Sequence, residues 1–234
     1  MVAFGVLAAS HAAPACAQVA IEAALQSDYR VRGYSLTDET PAASVSVSYD
    51  DPSGLYVAGL AVVTVDDAAG APELLGIQGA AGYAMRISPT LSIDAGLSKT
   101  QYFSAYGSDR DYDYTEFHLG LSLPNVTARL SYSPDYFRND WETLYAELAG
   151  GIEPGPDWTL SAHMGVLTYL HAPPAVLPKH TYDWQVGVSR QVGPWGLHVD
   201  LTGRILGPAR ITLPSGVGSG EDHQALMVGI SRAF

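Results

Sequence analysis

Apolar and polar residues alternate one by one along most of this chain, and that period of two limits its fold more than any other feature. In WGLHVDLTGRIL (195–206), Trp195, Leu197, Val199, Leu201 and Ile205 share one parity, and His198, Asp200, Thr202 and Arg204 share the other. A helix would bring His198 and Leu201 to one face and mix the two sets, whereas a strand separates them. VTARLSY (126–132) repeats the pattern, as does TEFHLGLSL (115–123), where Phe117, Leu119, Leu121 and Leu123 oppose Glu116, His118, Gly120 and Ser122. About twelve such segments follow one another, at 20–34, 42–50, 55–64, 75–87, 91–104, 112–123, 126–137, 142–153, 158–169, 182–192, 195–206 and 222–234. Hydrophobic residues make up 47% of the chain and charged ones 15%. Yet no run approaches the roughly 20 consecutive apolar residues of a spanning helix.

The joins between these segments alternate in length. DPSG (51–54), SPT (88–90), PN (124–125), PGPD (154–157) and GP (193–194) are tight turns rich in Pro, Gly, Asn and Asp. Between them lie longer stretches, which predict loops at 66–73, 105–111, 171–180 and 208–221 on one side. Short turns on one side, long loops on the other and an even strand count are the pattern of a transmembrane β-barrel. The expectation is therefore an all-β fold, a transmembrane antiparallel up-and-down β-barrel of about twelve strands.

A soluble sandwich also alternates, so the faces must be read separately. Trp158 and Trp195 each start a strand after a short turn, and Trp141 and Trp184 sit just inside long loops, giving two indoles to each rim. Tyr102, Phe103, Tyr132, Tyr136, Phe137 and Tyr182 add to the long-loop rim, and Tyr49, Tyr56 and Tyr83 lie nearer the short-turn rim. Aromatic girdles of this kind mark the two interfaces of a barrel. Ionisable groups fill the other parity, including Glu22, Asp28, Arg30, Arg32, Arg86, Asp94, Glu116, Arg129, Glu147, Asp200 and Arg204. Lys99, Arg190 and Arg232 fall on the apolar parity near strand ends, where long basic side chains reach the interface.

The start, MVAFGVLAAS followed by small residues at Ala15 and Ala17, reads as a signal peptide cut after Ala17. Residues 1–17 are then removed and 18–234 form the barrel, so the one cysteine, Cys16, leaves with the leader. One cysteine excludes a disulfide framework. At the other end, Leu226, Val228, Ile230 and Phe234 share the lipid parity of a strand expected to pair with the first. A terminal aromatic there resembles the signal by which bacterial outer-membrane proteins are recognised by their assembly machinery.

The most specific stretch is SDYRVRGYSLTDETPAASVSVSYDDPSGLYVAGLA (27–61). It resembles the opening of the TorF-like porin family of proteobacterial outer membranes, whose first hairpin reads S-D-Y-x-F-R-G-x-S-x-T before a P-A and a G-x-Y-x-G return. Ser27, Asp28, Tyr29, Arg30, Arg32, Gly33, Ser35, Thr37, Pro41, Ala42, Gly54, Tyr56 and Gly59 fit, with Val31 where Phe is common. The resemblance covers about 35 residues. It implies an integral barrel of the Gram-negative outer membrane with a pore role, and no particular substrate.

Little points to chemistry. His118, His163 and His198 lie on the inward parity without the close spacing of a metal motif. Asp109, Asp111 and Asp113 alternate like the start of a calcium loop, but Tyr114 and Gly120 stand where Gly and Glu are needed. No enzyme and no cofactor are expected. A formal net charge of -12 argues against nucleic acid. The reading is a channel for passive diffusion of small hydrophilic solutes, lined by Asp28, Arg30, Arg32, Arg86, Asp94, Glu116, His118, Arg129, Glu147, His163, His198, Asp200 and Arg204. With Glu22 of the same parity counted, five arginines against six carboxylates predict weak ion selectivity. The expected surroundings are outer-membrane lipid and lipopolysaccharide. The alternative is a non-conducting barrel that works through its outer loops as an adhesin, anchor or partner-binding protein. An inward loop, if there is one, is expected at the apolar, Pro-rich 170–181.

Overall fold

In a computed structural model, the described residues are 18–65, 72–103, 112–137, 141–171, 178–207 and 223–234. The predicted leader, 1–17, lies outside them. The wall begins with β1 (Gln18–Gln26), and two short strands follow, β2 (Arg30–Val31) and β3 (Tyr34–Ser35). Next come β4 (Ala42–Asp50), β5 (Leu55–Val65), β6 (Pro72–Ser88), β7 (Leu91–Tyr102), β8 (Tyr112–Leu123) and β9 (Val126–Ser133). The chain finishes with β10 (Thr143–Gly155), β11 (Trp158–Tyr169), β12 (His180–Val192), β13 (Trp195–Leu206) and β14 (His223–Ala233). Twelve of these strands form one closed barrel in which each pairs antiparallel with its chain neighbour, β2 and β3 standing apart as a separate pair. Closure runs through β1, which pairs with β4 from Gln18↔Asp50 to Gln26↔Ala42 and with β14 from Glu22↔Ala233 to Gln26↔Gly229. No edge strand is left in the ring, so its backbone donors and acceptors are paired within the wall.

The tight turns all fall at one end, at 51–54, 89–90, 124–125, 156–157 and 193–194. Gln18 and Phe234 lie there too, the Phe234 N–H donating to the Ile21 carbonyl at 2.9 Å. The other end carries the long connections. The outward parity is apolar and bare: Val199 is 48% exposed and Leu119 64%. A continuous band of that kind needs an apolar surrounding.

The buried core lies inside the barrel. Tyr29, Val31 and Leu36 from 27–41 pack among Leu60, Val62, Leu75, Tyr102, Tyr114, Tyr136, Tyr145, Leu167 and Tyr169 from the wall and its connections. Two sequence expectations change here. The segment 20–34 is not one spanning strand: β1 stops at Gln26 and the chain turns into the barrel mouth. Several rim aromatics also turn inward. Tyr102, Tyr136, Phe137 and Trp141 join the core cluster, and Tyr56 faces His118 across the lumen, because the inserted segment and the lumen polar groups give these rings buried partners. Tyr49, Tyr83, Tyr182, Trp158 and Trp195 remain on the outer surface.

Candidate functional site

The inward segment 27–41 is a tight hairpin. Val31 pairs with Tyr34, and the two residues between them, Arg32 and Gly33, have φ of 51° and 75°. Positive φ at both central positions defines a type I′ turn, whose second position suits glycine. Gly33 is needed for space as well, since a Cβ there would lie 3.0 Å from the Arg204 Cβ and 3.3 Å from the Asp183 Cβ. The turn thus rests against β12 and β13.

Asp28 organises the hairpin. Its carboxylate accepts from the Ser35 hydroxyl at 2.6 Å and the Thr37 hydroxyl at 2.9 Å, and it pairs with the Arg30 guanidinium. Thr37 in turn accepts from the Tyr29 N–H at 3.0 Å, and Leu36 N–H donates to the Tyr29 carbonyl at 2.8 Å. Arg30 reaches on to Glu39 at 3.2 Å, which His223 of β14 also meets at 3.2 Å. Of the residues that carry the sequence resemblance, Asp28, Tyr29, Arg30, Arg32, Gly33, Ser35 and Thr37 belong to this hairpin, and Ala42, Gly54, Tyr56 and Gly59 to the wall strands β4 and β5 and their turn.

Arg32 at the turn fixes the hairpin to the wall. Its Nη2 donates to Glu116 Oε1 on β8 at 2.6 Å, and its guanidinium lies 4.0 Å from the Tyr145 ring centroid and 4.9 Å from that of Tyr136. Arg204 of β13 covers the Tyr34 ring at 3.9 Å. Around them stands a collar of rings: Tyr114 is 5.0 Å from Tyr136, Phe137 is stacked 5.8 Å from Tyr102, and Trp141 meets Tyr169 edge-on at 5.8 Å. Burial pushes the Tyr136 phenol, in the β9–β10 connection, up to about 12. It stays a neutral group there.

Two polar clusters line the lumen beyond the hairpin. In one, Tyr145 Oη donates to Asp183 at 3.0 Å, and His163 Nε2 lies 2.8 Å from the same carboxylate and its Nδ1 3.9 Å from Glu147. In the other, nearer the short turns, Tyr56 Oη lies 2.9 Å from His118 Nε2, which is 3.1 Å from Asp94. Arg129 approaches Asp94 at 4.0 Å. The glycines Gly165 and Gly120 leave the room into which Tyr145 and Asp94 lie.

All thirteen candidate residues are inside the ring, but in two groups. Asp28, Arg30 and Arg32 belong to the hairpin, and Asp28 and Arg32 are buried in it. Arg86, Asp94, Glu116, His118, Arg129, Glu147, His163, His198, Asp200 and Arg204 project inward from the strands. Sequence reasoning missed Asp183 and Tyr145. Asp183 was readable, since Tyr182 and Trp184 flank it on the outward parity. A tyrosine such as Tyr145 suits either face and gives no such signal.

Chemistry finds little footing. His198 Nε2 meets the Ser231 hydroxyl at 2.9 Å inside the lumen. Nearby backbone N–H groups serve the β1–β14 and β13–β14 ladders, so they offer no oxyanion hole. Among the described residues no His, Cys, Asp and Glu side chains converge in a group of three fit for a metal ion. Asp113 points outward to Lys99, and Asp109 and Asp111 lie outside the described residues.

A closed twelve-stranded barrel with a polar interior and an apolar exterior has the fold of the outer-membrane porins. The KdgM porin shares 13% identity at a TM-score of 0.53, over 92% of this chain and 99% of that one. KdgM in complex with disordered oligogalacturonate gives 12% and 0.52, over 94% and 99%. The NanC porin gives 10% and 0.53, over 92% and 99%. None of the curated proteins matches the chain. The chain belongs to the family described as a bacterial protein of unknown function (Gcw_chp), whose model matches residues 9–204.

Proposed function

We propose that this barrel spans the bacterial outer membrane, long connections outward, as a narrow channel for small hydrophilic solutes whose outer mouth is closed by the 27–41 hairpin. The observation that carries this reading is the contrast between the two faces of one wall. Val199 and its outward neighbours are bare and apolar, and the inward side of the same strand carries His198, Asp200 and Arg204. A wall of that kind separates lipid from a water-accessible interior. The likeness of 27–61 to the TorF-like porins supports the same role.

The interior also favours one charge. Glu22, Asp50, Asp94, Glu147, Asp183 and Asp200 project inward, with Arg86, Arg129 and Arg204 against them. Asp50 and Asp183 shift the near balance read from the sequence towards the acids, so the path prefers cations and neutral polar solutes. An acidic oligomer such as the oligogalacturonate of the KdgM complex would meet carboxylates here.

The buried hairpin favours a second reading, a permanently closed barrel that serves as an anchor. Asp28, Tyr29, Val31, Arg32, Leu36 and Thr37 are all buried in the mouth. The void beside them, lined by Tyr29, Leu60, Val62 and Tyr102, is about 10 Å³, room for about one water. Single-channel recording on refolded protein separates the two. A gated channel stays mostly closed as wild type and conducts once the hairpin is cut out and the ends rejoined. An anchor also conducts after that excision but shows no openings at all as wild type.

A further inference from the structure

Lys99, Arg190 and Arg232 interrupt the outward apolar parity, and their surroundings differ. Lys99, near the long-connection end, pairs with Asp113 and lies 3.8 Å from Asp135. Arg190 and Arg232, at the short-turn end, lie within 4.0 Å of no carboxylate oxygen among the described residues. Each stacks instead on an indole across the strand pair. The Arg190 guanidinium is 5.1 Å from the Trp158 ring, its register partner. The Arg232 guanidinium is 5.3 Å from the ring of its own partner Trp195 and 4.8 Å from that of Phe234.

These four residues sit on β11, β12, β13 and β14, which are consecutive in the wall. Arg190 pairs with Leu197, and Arg232 with Trp195, two residues nearer the turn. Two strand spacings sideways and one two-residue step along the strand put their Cα atoms roughly 12 Å apart. Arg190 stacks on the β11 side and Arg232 on the β13 side, and both side chains are long enough to reach one phosphate lying over β13 between them. A guanidinium stacked on a ring keeps its in-plane N–H edge free for a phosphate. The Arg232 Nε is buried against the wall without a hydrogen-bond partner among the described residues, so the terminal nitrogens are the donors that a phosphate would meet. The ring faces hold both cations at the depth where a bilayer carries its phosphodiesters.

We propose that Arg190, Trp158, Arg232 and Trp195 form a binding site for the phosphate of an anionic phospholipid in the leaflet around the short turns. The site rests on the barrel spanning a membrane and not on its conducting. It ties one sector of the wall, the one that ends in the closing strand, to specific lipid.

Native mass spectrometry of the full chain, refolded in vesicles of phosphatidylethanolamine and phosphatidylglycerol, tests this. Wild type should retain phosphatidylglycerol in preference to phosphatidylethanolamine. The double variant Arg190→Gln and Arg232→Gln should hold it about thirtyfold more weakly, roughly fivefold per cation. Lys99→Gln, whose cation already has carboxylates, should match wild type. Equal retention by the double variant overturns the site. Displacement of the bound lipid by inorganic phosphate alone assigns the site to free phosphate and overturns the lipid. A wild-type chain that does not enter vesicles overturns the membrane reading itself, a separate failure.

Discussion

Arg32 and Glu116, 84 positions apart in the chain, meet at 2.6 Å inside the barrel mouth. They join the tip of the hairpin to the wall through a pair with side chains almost wholly out of solvent. Two further nitrogens of Arg32 have no hydrogen-bond partner among the described residues and lie against ring faces. Glu116→Gln leaves that cation buried without its counter-charge, a change that costs about 3–5 kcal/mol. The ring does not depend on the hairpin, since β1 pairs with β4 and β14 directly. The hairpin should therefore leave the mouth while the barrel stays folded. Conductance should rise, and a protease added at the long-connection side should cut within 27–41. Replacing both partners by apolar residues, Arg32→Met with Glu116→Leu, should restore the closed state. A Glu116→Gln barrel as silent and as resistant as wild type would remove the latch.

Gly33 tests the same contact from the backbone. Gly33→Ala places a Cβ in a left-handed conformation, which costs about 1–2 kcal/mol, and brings it to 3.0 Å from the Arg204 Cβ. Gly193 also has positive φ, 59°, but no atom lies within 4 Å of its Cβ position. Gly193→Ala should strain only its turn. Protease nicking at 27–41 should increase for Gly33→Ala and stay at wild-type level for Gly193→Ala.

The wall was legible because a closed barrel enforces one rule on every strand. The segments 42–50, 112–123, 158–169 and 195–206 match β4, β8, β11 and β13 residue for residue. The hairpin was not legible, and the reason is local. Tyr29 and Val31 keep the odd parity of Val19, Ile21 and Leu25, with only Ser27 interrupting it, so the alternation carries on where the chain bends. Only the Asp28 carboxylate, with Ser35 and Thr37 at the right distance to satisfy it, distinguishes the two readings, and that distance exists only after the chain reverses. The apolar 170–181 looked the better candidate for an inward loop; its central part, 172–177, lies outside the described residues. For the site, parity separates Glu116 from Phe117 but cannot tell that an arginine from 84 positions away will pair with it.

Orientation in the membrane has a direct test. Lys179, exposed in the β11–β12 connection, and Ser53, exposed in the β4–β5 turn, stand at opposite ends. Lys179→Cys should react with an impermeant maleimide on intact cells, and Ser53→Cys only after the outer membrane is opened. The reverse pattern would turn the barrel over.

Val199 and Asp200 are neighbours on β13 that face opposite ways, and together they test the wall and the channel. Val199 lies between Val188 and Val228 in the middle of the outward band. An arginine there should cost about 2–4 kcal/mol at mid-bilayer depth. It should be read as a lower midpoint for unfolding from vesicles. Asp200 faces the lumen, where its carboxylate lies into the space that Gly187 leaves on the adjacent strand. Asp200→Arg should fold near the wild-type midpoint, because water solvates that side. In a barrel opened by removal of the hairpin, it should move the reversal potential towards anions, since it changes the lumen charge by two units among inward carboxylates. With the hairpin in place, a permanently plugged barrel would show the stability contrast and no electrical one. Destabilisation at Asp200 with none at Val199 would exchange the two faces and leave the channel without a wall.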